Sequence, residues 1–284
     1  MNARNTFRTT LFAIAAMTLA SSCSDPEEDL DISFLDVDTE TNAIDRWIVQ
    51  NYTDPYNIAV SYKWVPFELA TDKVLVPVKE EKVIPVMTLV KQTWIEPYVQ
   101  EAGGDFMKIN APKQFVLVGS PQYNNDGTMV LGEAESGRKV TLFVINDFVN
   151  TDVPAVKQML HTIHHEFAHI LHQSKLYPRN FKQITPSGYT ATWYNTVNED
   201  AWNLGFITPY ARASSDEDFV EMISTMLVEG HDGYEAILSK ASANGKALLR
   251  QKEAIVVAYF KETWNIDFYQ LQQTTGKAIV AATK

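Results

Sequence analysis

The chain has 284 residues, a single cysteine and a formal net charge of −11. That length buries a sizeable core in one or two domains, and a lone cysteine excludes an internal disulfide and a cysteine-based structural zinc site. The acidic balance argues against nucleic-acid binding, which needs clustered Lys and Arg; beyond that it speaks mainly to solubility.

Residues 1–22 read as an export signal. Arg4 and Arg8 give a positive start, Leu11 to Leu19 an apolar core, and Ser21-Ser22 small residues ahead of Cys23. The apolar core is too short to span a bilayer, and no later stretch approaches ~20 consecutive apolar residues. The position of Cys23 resembles a bacterial lipobox, with Ala20 where leucine is usual and Leu19 one place early. That resemblance implies lipidation of Cys23, and so contact with membrane through a lipid anchor only. Residues 23–42, which continue Ser24-Asp25-Pro26-Glu27-Glu28-Asp29, form an acidic tether. A serine-plus-acid segment behind such a cysteine resembles a signal for display on the outer face of a Gram-negative outer membrane. Removing the leader takes away two arginines and no acids, so the net charge moves from −11 to −13. Residues 43–284 are expected to form one catalytic unit, with no repeat, low-complexity linker or glycine-rich phosphate loop.

Within residues 40–51, Ile44, Trp47 and Ile48 share a helical face. Asp54-Pro55-Tyr56-Asn57 is a turn signal. Ile58, Val60, Tyr62 and Trp64 then alternate with Ala59, Ser61 and Lys63 as a strand. A helix is expected over about 80–101 despite Pro85 and Pro97, stopped by Gly103-Gly104. Gln114 to Gly119 and Lys139 to Asn146 are β-rich runs separated by the turn-prone Asn124-Asn125-Asp126-Gly127. They predict a small sheet beside the next helix, and Val140 to Ile145 is a candidate strand for pairing with an extended peptide. From Pro154 the chain is mainly helical, with an irregular crossing over about 175–213. The fold class is α+β and zincin-like: a small N-terminal sheet with helices, a mainly helical C-terminal half, and a cleft between them.

The helix beginning near Pro154 carries the chemistry. Val156, Met159, Leu160, Ile163, Phe167, Ala168, Ile170 and Leu171 recur at helical spacing, and Pro154 suits a first turn. Inside the run stands His165-Glu166-Phe167-Ala168-His169, an HExxH sequence. Positions i and i+4 share one face, so His165 and His169 can bind one zinc ion while Glu166 reaches water held there and takes its proton. The pentapeptide alone recurs by chance, and the plain alternative is an amphipathic helix with ordinary imidazoles. A well-formed helix in an exported chain favours zinc.

Catalytic zinc commonly takes three protein ligands. The metzincin pattern fails, because His172 and Lys175 stand where it needs a glycine and a third histidine. A gluzincin takes a glutamate from a later helix. Glu217 fits, with Glu221 on the same face and Phe219, Val220 and Ile223 available for burial. Glu217 is assigned to the metal, and Glu221 to the second ring N–H of a ligand histidine. Two alternatives stay open. Ser214-Ser215-Asp216-Glu217 also fits a capping box, in which Glu217 only closes a helix N-terminus. Glu199 is a rival ligand, though Asn203 rather than an acid lies four residues on; Asp216 and Asp218 are further candidates. His161 and His172 lie near the ligand face as supporting groups, His231 after Gly230 reads as a cap, and His164 has no assigned role. Tyr210 precedes Glu217 by seven residues. In gluzincins resembling the lethal factor group, a tyrosine at this spacing points at the zinc, which implies Tyr210 as an oxyanion donor.

The HEFAH helix, Gly205-Phe206-Ile207-Thr208-Pro209-Tyr210-Ala211 and Glu217-Asp218-Phe219-Val220-Glu221 together resemble the zinc-binding metallopeptidases described as substrate-import-associated zinc metallohydrolase lipoproteins. Asp54-Pro55-Tyr56-Asn57-Ile58 and Tyr62-Lys63-Trp64 extend the likeness over almost the whole mature chain. The resemblance implies a surface lipoprotein associated with TonB-dependent outer-membrane importers and substrate-binding lipoproteins. It leaves the substrate open. The expectation is a surface-anchored zinc hydrolase, most simply a peptidase acting on peptide or protein, with Glu166 as general base. The alternative is a non-catalytic accessory lipoprotein that binds nutrient ligands or an importer. Glu166 counts against that alternative, since a purely structural site needs no base.

Overall fold

The computed structural model describes residues 42–65, 69, 72–123, 129–130, 132–135 (as backbone) and 139–284. The expected leader, Cys23, the expected acidic tether up to residue 41 and the turn-prone segment at Asn124 to Gly127 lie outside the described residues. Asn42 caps the first helix, its side chain accepting from the Asp45 N–H. That helix, α1 (Ala43–Ile48), runs through a π-helical turn (Val49–Thr53) into α2 (Asp54–Tyr56) and ends at Asn57 in the left-handed region. The expected turn at Asp54 to Asn57 is therefore mostly the last helical turn, broken by Asn57, which tolerates positive φ. The strand that follows is shorter than the alternation predicted. Only β1 (Ala59–Ser61) pairs, while the Tyr62 hydroxyl turns back to donate to Asp45 at 2.7 Å.

The next helix is continuous through α3 (Glu80–Val90), a π-helical turn (Lys91–Ile95) and α4 (Glu96–Ala102). Pro97, which cannot donate to the preceding turn, is the second residue after the π-helical segment. Gly103 at φ 87° ends the helix where the sequence predicted, and α5 (Gly104–Asn110) begins at once.

The strands β2 (Gln114–Leu117), β3 (Gln122–Tyr123), β4 (Met129–Val130), β5 (Gly132–Glu135) and β6 (Lys139–Leu142) follow. The main sheet has the order β1-β2-β6-β5, parallel except for β5, with Phe115 opposite both Val60 and Val140; β3 and β4 form a separate antiparallel ribbon. This corrects the expectation for Val140 to Ile145. That run contributes β6, whose backbone is engaged by β2 on one side and β5 on the other, so it has no edge to offer a peptide. The sheet edge nearest the active-site helix is β5.

That helix, α6 (Val153–Ser174), starts at Asp152, whose side chain accepts from the Ala155 N–H at 3.1 Å. Its apolar stripe of Val156, Leu160, Ile163, Phe167 and Leu171 is fully buried. Phe167 meets Trp94 and Tyr98 edge-on at centroid distances of 5.3 and 4.9 Å. The stripe locks the helix rotationally, leaving His165, Glu166 and His169 on the opposite margin. Beyond it come 3-10 turns at Arg179–Gln183, Trp193–Asn195 and Tyr210–Arg212, with α7 (Asn198–Asn203) among them. Three long helices complete the chain: α8 (Ser215–Lys240), α9 (Ala243–Trp264) and α10 (Phe268–Ala282). From Asp218 to Val228 every residue of α8 is buried, which makes it the central helix of the C-terminal half, packed along α6. The architecture is α+β, mostly helical, with a small N-terminal sheet.

Candidate metal centre

Packing of α8 along α6 brings Glu217 to the HExxH face. Glu217 Oε2 lies 3.1 Å from His165 Nε2 and 3.3 Å from His169 Nε2. The ligand atoms of all three residues lie within 4.8 Å of one another. Ser214 is the N-cap of α8 and accepts from the Glu217 N–H at 3.1 Å. The backbone half of the capping box is thus present, but the Glu217 carboxylate goes to the histidines rather than back to the cap. Among the other candidates, Glu199 is exposed on α7 and belongs to neither cluster of potential ligands among the described residues. Asp216 is taken by Lys182 and Tyr177, and Asp218 by Lys252.

The residues fit zinc by donor chemistry: two imidazole nitrogens and a carboxylate oxygen form the His2Glu set of catalytic sites. A histidine that offers Nε2 to a metal carries its proton on Nδ1 and needs an acceptor there. Both have one. His165 Nδ1 lies 2.7 Å from Glu221 Oε1, and His169 Nδ1 lies 3.0 Å from His172 Nε2. The residue at the metzincin glycine position is thus the partner of His169. Burial, with His169 second, pushes His172 down to about 4, so its ring stays neutral and able to accept. Glu221 is almost fully enclosed and receives the Thr208 hydroxyl at 2.5 Å and His161 Nε2 at 2.9 Å as well. His161, His165 and Glu221 also lie close enough to hold an ion. The saturation of Glu221 by hydrogen bonds makes this second group a support for His165 instead.

Electrostatics prepare the centre for a cation. Burial opposes ionisation of Glu217, but hydrogen bonds from His165 and His169 outweigh it and push the carboxyl down to about 2. Burial likewise opposes charge on Glu221, and His161 and His165 hold it well below the ordinary carboxylate range. At His165 burial disfavours the proton, yet Glu217 and Glu221 raise it to about 10.

Tyr210 opens a 3-10 turn beside the centre, its ring 5.8 Å from that of His165 and edge-on to Trp193 at 4.8 Å. Burial, and then Glu217, push its phenol up, so it stays a donor at neutral pH. Glu166, His165, Tyr210, Trp193, Met129 and Val130 help line a recess of about 580 Å³. A larger recess of about 790 Å³ between α8, α9 and α10 contains none of the motif residues. His164 faces the other way, fully buried with Nδ1 3.5 Å from the Tyr98 hydroxyl, and burial pushes it down to about 3. His231 follows the break at Gly230 and pairs with Asp232 at 3.0 Å, largely exposed. Thr208, Trp193 and the role of His172 toward His169 escaped sequence reasoning. Thr208 lies within Gly205-Phe206-Ile207-Thr208-Pro209-Tyr210-Ala211, but nothing local marks it as the partner of a glutamate thirteen residues on.

A crystal structure described as a putative zinc-binding metallo-peptidase, from Bacteroides caccae, is similar at 34% identity and a TM-score of 0.74. The alignment covers 83% of this chain and 91% of that one. No curated protein matches the chain. A family model described as "Putative zinc-binding metallo-peptidase" matches residues 37–269, and with the fold and the His-His-Glu centre in place, the chain belongs to that family.

Proposed function

We propose that the protein is a zinc-dependent peptidase. The observation that carries this is the placement of Glu166 in the same recess as His165, on the helix whose two histidines converge with Glu217. Zinc held by His165, His169 and Glu217 would supply Lewis acidity, polarising a scissile carbonyl and lowering the pKa of water. Glu166 takes the proton of the attacking water and passes it to the leaving amine. Tyr210 donates its phenolic hydrogen where negative charge develops on the carbonyl oxygen. Glu221 and His172 hold the two imidazoles in register, and Thr208 holds Glu221. Trp193, Met129 and Val130 give the recess an apolar wall against which a side chain can dock.

The leader and Cys23 support anchoring by lipid at the outer face of the outer membrane. The family resemblance supports service to a TonB-dependent importer and its substrate-binding lipoprotein. The test of the enzymatic reading is zinc content and turnover of a mixed peptide library by mature protein, before and after chelation, beside Glu166→Gln. Retained zinc with turnover reduced about 10²–10⁴-fold in the variant is expected. Undiminished turnover by Glu166→Gln sinks the proposed mechanism.

A further inference from the structure

Two recesses follow one another along α6, and their chemistry differs. The first, by His165 and Glu166, has the apolar wall of Met129, Val130 and Trp193. The second, of about 550 Å³, takes in His169, Glu217, Arg179, Lys182, Asp216 and Leu176. Each contains candidate ligands of the same centre, so a chain bound across that centre enters both.

The second recess sets Arg179 and Lys182 against Asp216 and Glu217, in a chain whose net charge is −11. Its acids are already committed: Glu217 faces the two histidines, and Asp216 receives both Tyr177 and Lys182, the latter at 3.0 Å. Arg179 is different. It lies exposed on the 3-10 turn after α6 and has no ion-pair partner among the described residues. Beside it Leu176 is 82% exposed, an apolar edge along which a peptide can lie. The uncommitted charge at this end of the site is therefore a planar guanidinium, which matches a carboxylate in two-point hydrogen bonding.

We infer that this recess is a substrate subsite for a carboxylate, with Arg179 as the binding group and Lys182 beside it. The inference rests on the peptidase reading and names its substrate class. Arg179 lines the same recess as His169 and Glu217, so the carboxylate it would take belongs to the part of the substrate that enters this recess from the centre. It is either an Asp or Glu side chain or the free end of the substrate. The two sources share one chemistry and differ in consequence: the first makes an endopeptidase with acidic preference, the second a carboxypeptidase.

The test uses zinc-loaded mature protein and octapeptide pools in which one position is fixed as Glu, Gln or Lys, each with a free or amidated C-terminus. Cleavage is read by mass spectrometry on the parent, and binding is read without turnover on Glu166→Gln. Glu pools preferred over Gln pools by about tenfold identify a side-chain carboxylate, and free ends preferred over amides identify the terminus. Arg179→Ala should abolish that preference in both readouts, chiefly through KM, and Arg179→Lys should restore part of it. Arg179 is exposed and has no ion-pair partner among the described residues, so these variants are expected to keep the fold. Binding that shows the Arg179-dependent preference while no pool is cleaved would retain the subsite and remove the peptidase reading. Cleavage without a carboxylate preference, no preference in either readout, or a preference that survives Arg179→Ala overturns the subsite.

Discussion

Lys252 Nζ lies 2.6 Å from Asp218 Oδ2, and neither side chain is exposed to solvent. Lys252 also donates to the Gly205 carbonyl at 2.6 Å and lies over the Phe206 ring, while the Tyr189 hydroxyl donates to Asp218 at 2.9 Å. Burial pushes the Asp218 carboxyl up and the Lys252 ammonium down, each opposed by the charge of the other. The pair joins α9 to the first turn of α8, next to Glu217, and pins the start of the segment that carries Thr208 and Tyr210. Removing one partner strands the other charge. Lys252→Met is expected to destabilise by about 3–5 kcal/mol, and Lys252→Met with Asp218→Asn to recover much of that loss. Denaturant unfolding of the two variants checks this, and equal losses would mean that the charge pairing is not what matters.

Thr208 reaches the centre at one remove. Its hydroxyl accepts from the Ala211 N–H at 3.1 Å and donates to Glu221, which in turn holds His165. Thr208→Val keeps the shape and removes the link, so zinc affinity should fall by about tenfold, the lower end for outer-shell partners. Thr208→Ser should restore it. Competition with a chromogenic chelator measures both, and parental affinity in Thr208→Val excludes this role.

These networks explain how far the sequence could be read. The helix α6 was legible because HExxH and the apolar stripe are both local, repeating within one element. Glu217 could be ranked above Glu199 by its i+4 acid, but only the packing of α8 on α6 brings a particular acid to the histidines. Lys252 and Asp218 are thirty-four positions apart, and no periodicity links them. The strand at Val140 to Ile145 was legible as a strand, whereas its interior place in the sheet depends on what pairs on each side. Arg179 is an ordinary surface arginine until the fold places it on the recess that His169 also lines.

At the N-terminal helix a smaller ion pair sets an acid response. Asp45 accepts from Lys63 at 2.8 Å and from the Tyr62 hydroxyl at 2.7 Å. The Lys63 hydrogen bond, against a little burial, holds its carboxyl below the ordinary 3.8. The unfolded chain therefore takes up the proton first as pH falls. The contribution is full above the unfolded value and is lost through the folded one. Asp45→Asn should flatten the dependence of stability on pH below about 5, where unfolded carboxyls begin to titrate. Urea midpoints measured from neutral to acid pH test this, and an unchanged slope counts against it.

On the proposed lipid anchoring, Cys23→Ala should release the protein from the membrane fraction with its fold intact. The cysteine opens the expected acidic tether, and the family match begins only at residue 37. Lipid labelling, fractionation and thermal unfolding of the variant check the expectation. Continued labelling, or misfolding of protein expressed without residues 1–22, speaks against a simple anchor.

Glu217 and Tyr210 should separate by function, with Glu199 as the comparison outside the candidate centre. Glu217→Ala removes one of the three proposed ligands, so zinc affinity should drop while Glu199→Ala binds zinc like the parent. Tyr210→Phe leaves the ring against His165 and Trp193 and deletes only the hydroxyl. It should keep zinc and peptide binding while turnover falls by about 10²–10³-fold, as for loss of an oxyanion donor. The discriminating comparison is kcat against KM. A tyrosine that merely packs would leave kcat near the parent, and one that binds substrate in its ground state would raise KM instead. Zinc affinity and single-turnover rates for the three variants decide among these. If Glu199→Ala loses zinc and Glu217→Ala does not, the third ligand has been misassigned despite the 3.1 and 3.3 Å approaches of Glu217 to the two histidines.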